Sequence, residues 1–295
     1  MLTQKEIKVD FHAIAIPGFS EPVSCWTHFI AALLSLTGIY FLWKKARGNN
    51  IRLGALYLYS FSLIFLFTMS GVYHLLDHST VARDVFQRLD HAGIWVLIAG
   101  TFTPIHVILF RGSWRWLILT IVWSIAITGL TLEVIFFKSI PEWLSLSFYL
   151  SLGWLGVLTS WKFRRSFSHK SIMWMIFGGI YYSIGAVMEF TRWPVLIDGV
   201  IGPHEVFHVF VMLGAFSHWM FIYSWADQAV SRHIVVHIKE LPENQFHAIG
   251  INEYLFFKSQ NLDSLKVSVI EELNRRYHHV IKPRLVLKYF KEEVI

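Results

Sequence analysis

Charged residues are scarce in this chain of 295 residues. Only 16% of them are charged and 55% are apolar, whereas a soluble domain typically has about 25% charged residues. The single cysteine, Cys25, excludes a disulfide scaffold. The same composition excludes a collagen-like repeat and a disordered chain. The apolar surplus exceeds what a core can bury, so the sequence predicts a polytopic membrane protein.

The basic excess is small, with 26 Lys and Arg against 20 Asp and Glu. Membrane proteins gather Lys and Arg at one membrane face, so the excess does not indicate a nucleic-acid partner and we expect none. In the short predicted loops, ten basic residues lie on one side of the membrane and six on the other, N-terminal side. We therefore expect the N-terminus outside and the C-terminal tail in the cytoplasm.

Seven stretches are almost free of ionisable residues, and each has about the 20 residues that a membrane-spanning helix needs. They lack the alternation of a barrel strand. We therefore predict an all-α fold, a polytopic seven-transmembrane helix bundle with a small soluble C-terminal tail. The stretches are Val23–Trp43, Leu53–Leu76, Ala92–Phe110, Trp114–Phe137, Trp143–Trp161, Ile172–Met188 and Glu205–Trp225.

The composition also divides the chain into parts. We expect an N-terminal segment at 1–22, a membrane domain at 23–226 and a soluble extension at 227–295. Within the extension, Leu262–His279 has the pattern of an amphipathic helix ended by Pro283, and Ile234–Ile238 suggests a strand.

Histidines and one carboxylate are predicted to meet at one membrane end. His74 ends the second stretch, Asp90 and His91 open the third, and His204 and His208 open the seventh, four residues apart on one helix face. With seven spans, all these positions lie on the same side. Three imidazoles leave a zinc ion one position for water. Asp90 is then the expected proton acceptor, and Ser70 supports an imidazole or the developing oxyanion.

Other interpretations stay open at this point. A lone histidine at a helix end is commonly an interfacial residue. The segment His204–His208 also fits the H-E-x-x-H pattern, in which Glu205 would be the general base. The residues leave undecided whether Glu133, Glu189 and Arg192 are buried partners or loop-edge residues.

The motifs together resemble the haemolysin-III group of the progestin and adiponectin receptor family, over about residues 21–226. The segments that carry the resemblance are Glu21 with Thr27-His28, Ser70-x-x-x-His74, Asp90–Ile94, Ala99–Pro104, His204–His208, and Gly214-Ala215 with His218. Ser24 stands where the family usually has Asn. The tail lies outside the resemblance.

The resemblance implies a zinc ion held by His74, His204 and His208, with Asp90 contacting its bound water. It also implies a zinc-dependent, ceramidase-like hydrolase of lipid amide or ester bonds in the plasma membrane (the inner membrane of a bacterium). Membrane lipids are the expected partners, and the tail offers a surface for a cytoplasmic partner. Two alternatives are a receptor with structural zinc, with Glu205 as a fourth ligand, and a cytolytic protein.

Overall fold

A computed structural model describes residues 11–161, 169–231, 233–242, 245–277 and 283–291. Residues 1–10 of the predicted 1–22 segment lie outside the described residues, and so does His279, the predicted end of the tail helix. Seven helices come first in chain order. They are α1 (Pro22–Ala46), α2 (Asn50–Leu75), α3 (Val81–Leu109), α4 (Ser113–Ile135), α5 (Glu142–Trp161), α6 (His169–Thr191) and α7 (Pro203–Trp225).

Six helices within the described residues are long and apolar enough to cross a membrane, namely α1–α4, α6 and α7. A helix satisfies its own backbone hydrogen bonds, as a segment in lipid must. The chain is therefore a mostly helical membrane protein. The successive helices alternate in direction, so the bundle has two ends. We call the end where α2 finishes and α7 begins the histidine end, and the opposite end the tail end.

Helix α3 begins at Val81, eleven residues before the predicted apolar stretch. Thr80 caps it by accepting a hydrogen bond from the backbone N–H of Arg83 at 3.3 Å. The first turns are polar, which is why hydropathy alone missed them. Asp90 and His91 therefore lie well inside this helix, and the expectation that they open it was wrong.

Helix α3 is largely buried and packs against α2, α4, α5 and α7. Its contact with α2 is close at Gly100, where a Cβ atom would overlap the Ser62 hydroxyl oxygen. Small residues allow membrane helices to approach in this way. The packing fixes the height of Asp90 relative to the end of α2.

The C-terminal region contains a sheet, so the all-α prediction was wrong for this part. Strands β1 (His233–Leu241), β2 (Gln245–Gly250), β3 (Phe256–Ser259) and β4 (Arg284–Lys291) form it in the order β3-β2-β1-β4. The β1 strand pairs antiparallel with β2 and parallel with β4. Helix α8 (Leu262–Arg276) covers one face.

Buried side chains at every second position of β1 form the core of this region. Ile234, Val236 and Ile238 of β1 are buried and pack with Leu265 and Val269 of α8. The intervening residues point to the opposite face, as the period of a strand requires. The predicted strand and helix thus both exist, whereas β2–β4 were not predicted.

The extension is attached to the tail end of the bundle through Arg52, which is buried at the start of α2. Its guanidinium forms an ion pair with Glu253 at 3.2 Å, and both side chains are at most 2% exposed. Burial raises the pKa of Glu253, and the Arg52 charge opposes that shift. A backbone hydrogen bond from the N–H of Tyr254 to the carbonyl of Gly48, 2.9 Å long, reinforces the junction.

Candidate metal centre

Three histidines meet at the histidine end of the bundle. His74 is in the last turn of α2, and His204 and His208 are in the first two turns of α7. One candidate ligand nitrogen from each ring lies within 4.8 Å of the other two. His74 and His208 are buried and His204 is partly exposed. The structure thus brings together the three side chains predicted to share a metal. That prediction used the i,i+4 spacing of His204 and His208 and the placement of His74 on the same side of the membrane.

The Nε2 atoms of His74 and His204 face each other at 3.2 Å. Two imidazole nitrogens at about 2.0–2.1 Å from a tetrahedral zinc ion would be about 3.3–3.4 Å apart. The observed separation therefore suits two ligands of one metal ion. Carboxylates take the other ring nitrogen in both cases. Glu21 binds His74 Nδ1, and Glu189 lies 3.1 Å from His204 Nδ1.

These carboxylates determine which nitrogen each ring presents. An Nδ1–H that donates to a carboxylate leaves the Nε2 lone pair for a metal, the usual arrangement around metal-binding histidines. Sequence reasoning left Glu189 undecided and gave Glu21 no role beyond its motif. No local sequence pattern relates Glu189, at the end of α6, to the first turn of α7.

Two further side chains hold the Glu21 carboxylate in place. Arg83 Nη2 donates to it at 2.6 Å, and His78 Nε2 lies 3.1 Å away. Burial would raise the pKa of this carboxyl group. The hydrogen bond and charge of His74, together with the Arg83 charge, outweigh burial and lower the pKa to about 2. Glu21 is therefore an ionised acceptor for His74.

Asp90 and Ser70 line the same cavity as the three histidines, which has a volume of about 510 Å³. Asp90 does not belong to the group whose ligand atoms lie within 4.8 Å of one another. The Ser70 hydroxyl is buried and has no hydrogen-bond partner among the described residues. A buried polar atom of this kind is costly unless a ligand or water satisfies it.

His28 of α1 stacks on His208, with ring centroids 3.6 Å apart and planes within 5° of parallel. Both of its nitrogens are buried and lack a partner among the described residues. The sequence includes His28 in the motif Thr27-His28 but does not predict its stacking on His208.

Glu205 does not join the histidines in the structure. Its Oε1 accepts a hydrogen bond from Ser24 at 2.8 Å, and its Oε2 accepts one from the backbone N–H of Gly202 at 2.9 Å. The carboxylate thus joins the starts of α1 and α7. This use of both oxygens favours a structural role over that of general base.

Two other undecided residues also have partners. Glu133 is buried and accepts hydrogen bonds from Trp95 at 2.6 Å and Tyr149 at 2.5 Å. Arg192 is half exposed and pairs with Glu189 and Glu142.

A second cavity of about 130 Å³ continues from the first between α3, α5, α6 and α7. Its lining is almost entirely apolar, although His218 contributes one edge. The two cavities share lining residues, among them Ile94, Tyr149, Phe207 and Val211. An apolar chain in the second cavity would place a polar group beside the histidines.

Comparisons with known proteins agree with these motifs. The family described as haemolysin-III related matches residues 19–219. Hemolysin-3 of Bacillus cereus is 31% identical over 197 residues, covering 66% of this chain and 86% of that protein. The Hemolysin-3 homolog of Bacillus subtilis is 30% identical over 197 residues, covering 66% and 89%.

More distant relatives include the adiponectin receptor protein of Drosophila melanogaster. It is 25% identical over 224 residues, which cover 68% of this chain and 49% of that protein. The match over most of α1–α7, together with the two bacterial relatives, establishes that this chain is a member of the haemolysin-III related family, within the wider group of progestin and adiponectin receptors.

Proposed function

We propose that this protein is a zinc-dependent hydrolase of lipid amide or ester bonds. The observation that carries the proposal is the facing pair of Nε2 atoms on His74 and His204, each ring held from behind by a carboxylate. His208 would supply the third ligand. When bound here, zinc would supply Lewis acidity, which activates water and polarises a carbonyl group.

The ligand count supports a catalytic ion. Catalytic zinc sites commonly have three protein ligands, whereas structural sites have four. The described residues bring three histidines together, and Glu205 has both oxygens in use. This arrangement favours hydrolysis over the alternative of a receptor with structural zinc.

Asp90 and Ser70, which line the same cavity, also have roles in the proposed reaction. The Asp90 carboxylate would accept a proton from the attacking water and return it to the leaving amine or alcohol. The Ser70 hydroxyl would donate a hydrogen bond to the carbonyl oxygen as negative charge develops there. The scissile C–N or C–O bond then breaks, with the acyl chain held in the adjoining apolar cavity.

We also propose how the chain is arranged in the membrane. All seven helices would span it, since α5 has 20 residues and packs against α3 and α6. The membrane domain would cover 23–226 and the extension 227–295, with the extension in the cytoplasm. For a bacterial source, the bilayer would be the inner membrane.

The test is hydrolysis of ceramide-type amides and matched esters by the purified protein, comparing wild type with Asp90→Asn. We expect Asp90→Asn to retain stoichiometric zinc and to lose at least 100-fold in turnover. Glu142→Gln is the control, because Glu142 is another carboxylate in the cavity lining. Equal turnover in wild type and Asp90→Asn would contradict the assignment. Zinc-loaded wild type without hydrolysis would favour the receptor alternative.

A further inference from the structure

A cleft of about 480 Å³ lies at the tail end of the bundle, far along the helices from the metal centre. It separates the α3–α4 turn from the beginning of β1. Its polar lining consists of Arg111, Arg115, Ser231, His233 and Asn252, and no carboxylate is among the described residues that line it. Two guanidinium groups in one cleft favour an anionic ligand.

Backbone carbonyls hold both arginines in place. Arg115 donates from Nε to Phe110 at 2.9 Å and from Nη2 to the carbonyl of Val230. Arg111 donates to the carbonyls of Phe110 and Ala229. The two carbonyl oxygens orient the Arg115 guanidinium group but do not neutralise its charge. Since the group has five N–H donors, these bonds leave Nη1 of Arg115 available for a ligand.

The helix ends beside the cleft indicate that it lies at the level of the bilayer phosphate groups. Helix α3 ends at Leu109 and α4 begins at Ser113, so the turn between them marks the membrane boundary. Trp114 and Trp116 in the first turn of α4 are 53% and 56% exposed. Exposed tryptophans at a helix end are typical of the headgroup level.

The sheet extends this positive surface. Register pairs His233 with Arg284 and His237 with Lys288, so these side chains share the face that α8 does not cover. The described positions of that face include no Asp or Glu. The described residues on this face of the sheet therefore add positive and no negative charge beside the cleft.

We propose that this cleft binds a phosphate group, held by Arg111 and Arg115 with His233 at its edge. Arginine suits phosphate because its planar donors can bind two oxygens at once. Basic pockets at a membrane boundary bind lipid headgroups. The position beside Trp114 and Trp116 makes an anionic phospholipid the favoured source, and free phosphate offers the same chemistry.

The test uses the full chain in detergent and native mass spectrometry. Phosphatidylglycerol is titrated against phosphatidylcholine, which carries the same phosphate but no net charge. We expect wild type to retain phosphatidylglycerol at least 10-fold more tightly, and Arg115→Gln to lose most of that difference. Arg88→Gln is the matched control, because Arg88 also donates to a backbone carbonyl but lies at the histidine end.

His233→Glu is a second test variant, which keeps the proposal testable if the arginine variants misfold. The His233 side chain is exposed, so we expect its replacement to leave the fold intact. It should weaken phosphatidylglycerol retention about 10-fold while leaving the melting temperature unchanged. Inorganic phosphate at constant ionic strength distinguishes the sources. If it displaces the lipid from wild type but has no effect on Arg115→Gln, the site is a general phosphate site. If phosphatidylglycerol retention is equal in wild type, Arg115→Gln and His233→Glu, the proposal is wrong.

Discussion

The two ends of the helix bundle each contain a buried cluster of ionisable residues, and the clusters differ in how fully they are bonded. At the tail end, Arg52 donates to the carbonyls of Ala46, Arg47 and Gln228 and to both oxygens of Glu253. These partners account for all five donors of a guanidinium group.

The histidine end has partners on one side only. Carboxylates bind His74 and His204 from behind, whereas Ser70 and both nitrogens of His28 have no partner among the described residues. A fully bonded cluster stabilises a fold, since every buried polar atom is satisfied within the chain. A cluster with unsatisfied atoms around a cavity is organised for a ligand. The comparison predicts that substitutions at the two ends will affect different properties.

The largest expected effect is on zinc content at the histidine end. We expect His74→Ala and His208→Ala each to lower bound zinc from about one ion per chain to less than a tenth, because two histidines cannot complete a three-ligand site. Elemental analysis of protein purified without chelators measures this. His91→Ala is the control, since His91 lines the same cavity but bonds to the Gln87 carbonyl. Full zinc content in both ligand variants would refute the assignment.

The next effect concerns stability at the tail end. Removing one partner of a buried ion pair typically costs about 3–5 kcal/mol, because the other charge remains buried. We therefore expect Arg52→Met to release the extension, observed as faster hydrogen exchange in β1 and β2, while zinc content stays unchanged. The double variant Arg52→Met with Glu253→Leu should recover most of the protection. Lys44→Ala, an exposed change nearby, serves as the control.

The Arg52–Glu253 ion pair also shows which parts of the fold the sequence could predict and which it could not. The apolar stretches predict the seven helices, because a membrane span depends on local composition alone. In contrast, Arg52 reads as one more basic loop residue. Its burial depends on Glu253, which lies 201 residues further along the chain. No local pattern encodes that contact.

The histidine end divides in the same way. The spacing of His204 and His208 and the parity of the spans place three imidazoles together, since both follow from helical geometry. The supporting residues Glu21 and Glu189 depend on how the segment before α1 and the end of α6 fold against the bundle. The sheet escaped prediction because β2, β3 and β4 lack the buried alternation that marks β1.

A smaller effect should follow from changing the carboxylates behind the histidines. Glu21→Gln and Glu189→Gln keep the side-chain shape but remove the charge that favours Nδ1 protonation. Loss of such a partner typically weakens metal affinity 10–100-fold. Competition with a chromogenic chelator measures the change. Glu133→Gln is the matched control, because Glu133 is a buried carboxylate bonded to Trp95 and Tyr149. Unchanged affinity in all three variants would remove the proposed role of Glu21 and Glu189.

The smallest expected effect sharpens the distinction within the histidine end itself. Glu205 belongs to the H-E-x-x-H pattern, yet its oxygens accept hydrogen bonds from Ser24 and from the backbone of Gly202. In this position it satisfies a helix start, and losing such a cap costs about 0.5–2 kcal/mol. We expect Glu205→Gln to lower the melting temperature by a few degrees, with zinc content and turnover within about three-fold of wild type. A loss of turnover comparable to that of Asp90→Asn, without a change in stability, would make Glu205 the base. In that case the hydrogen bonds of Glu205 would not distinguish a structural carboxylate from a catalytic one, and the H-E-x-x-H motif would be the better guide.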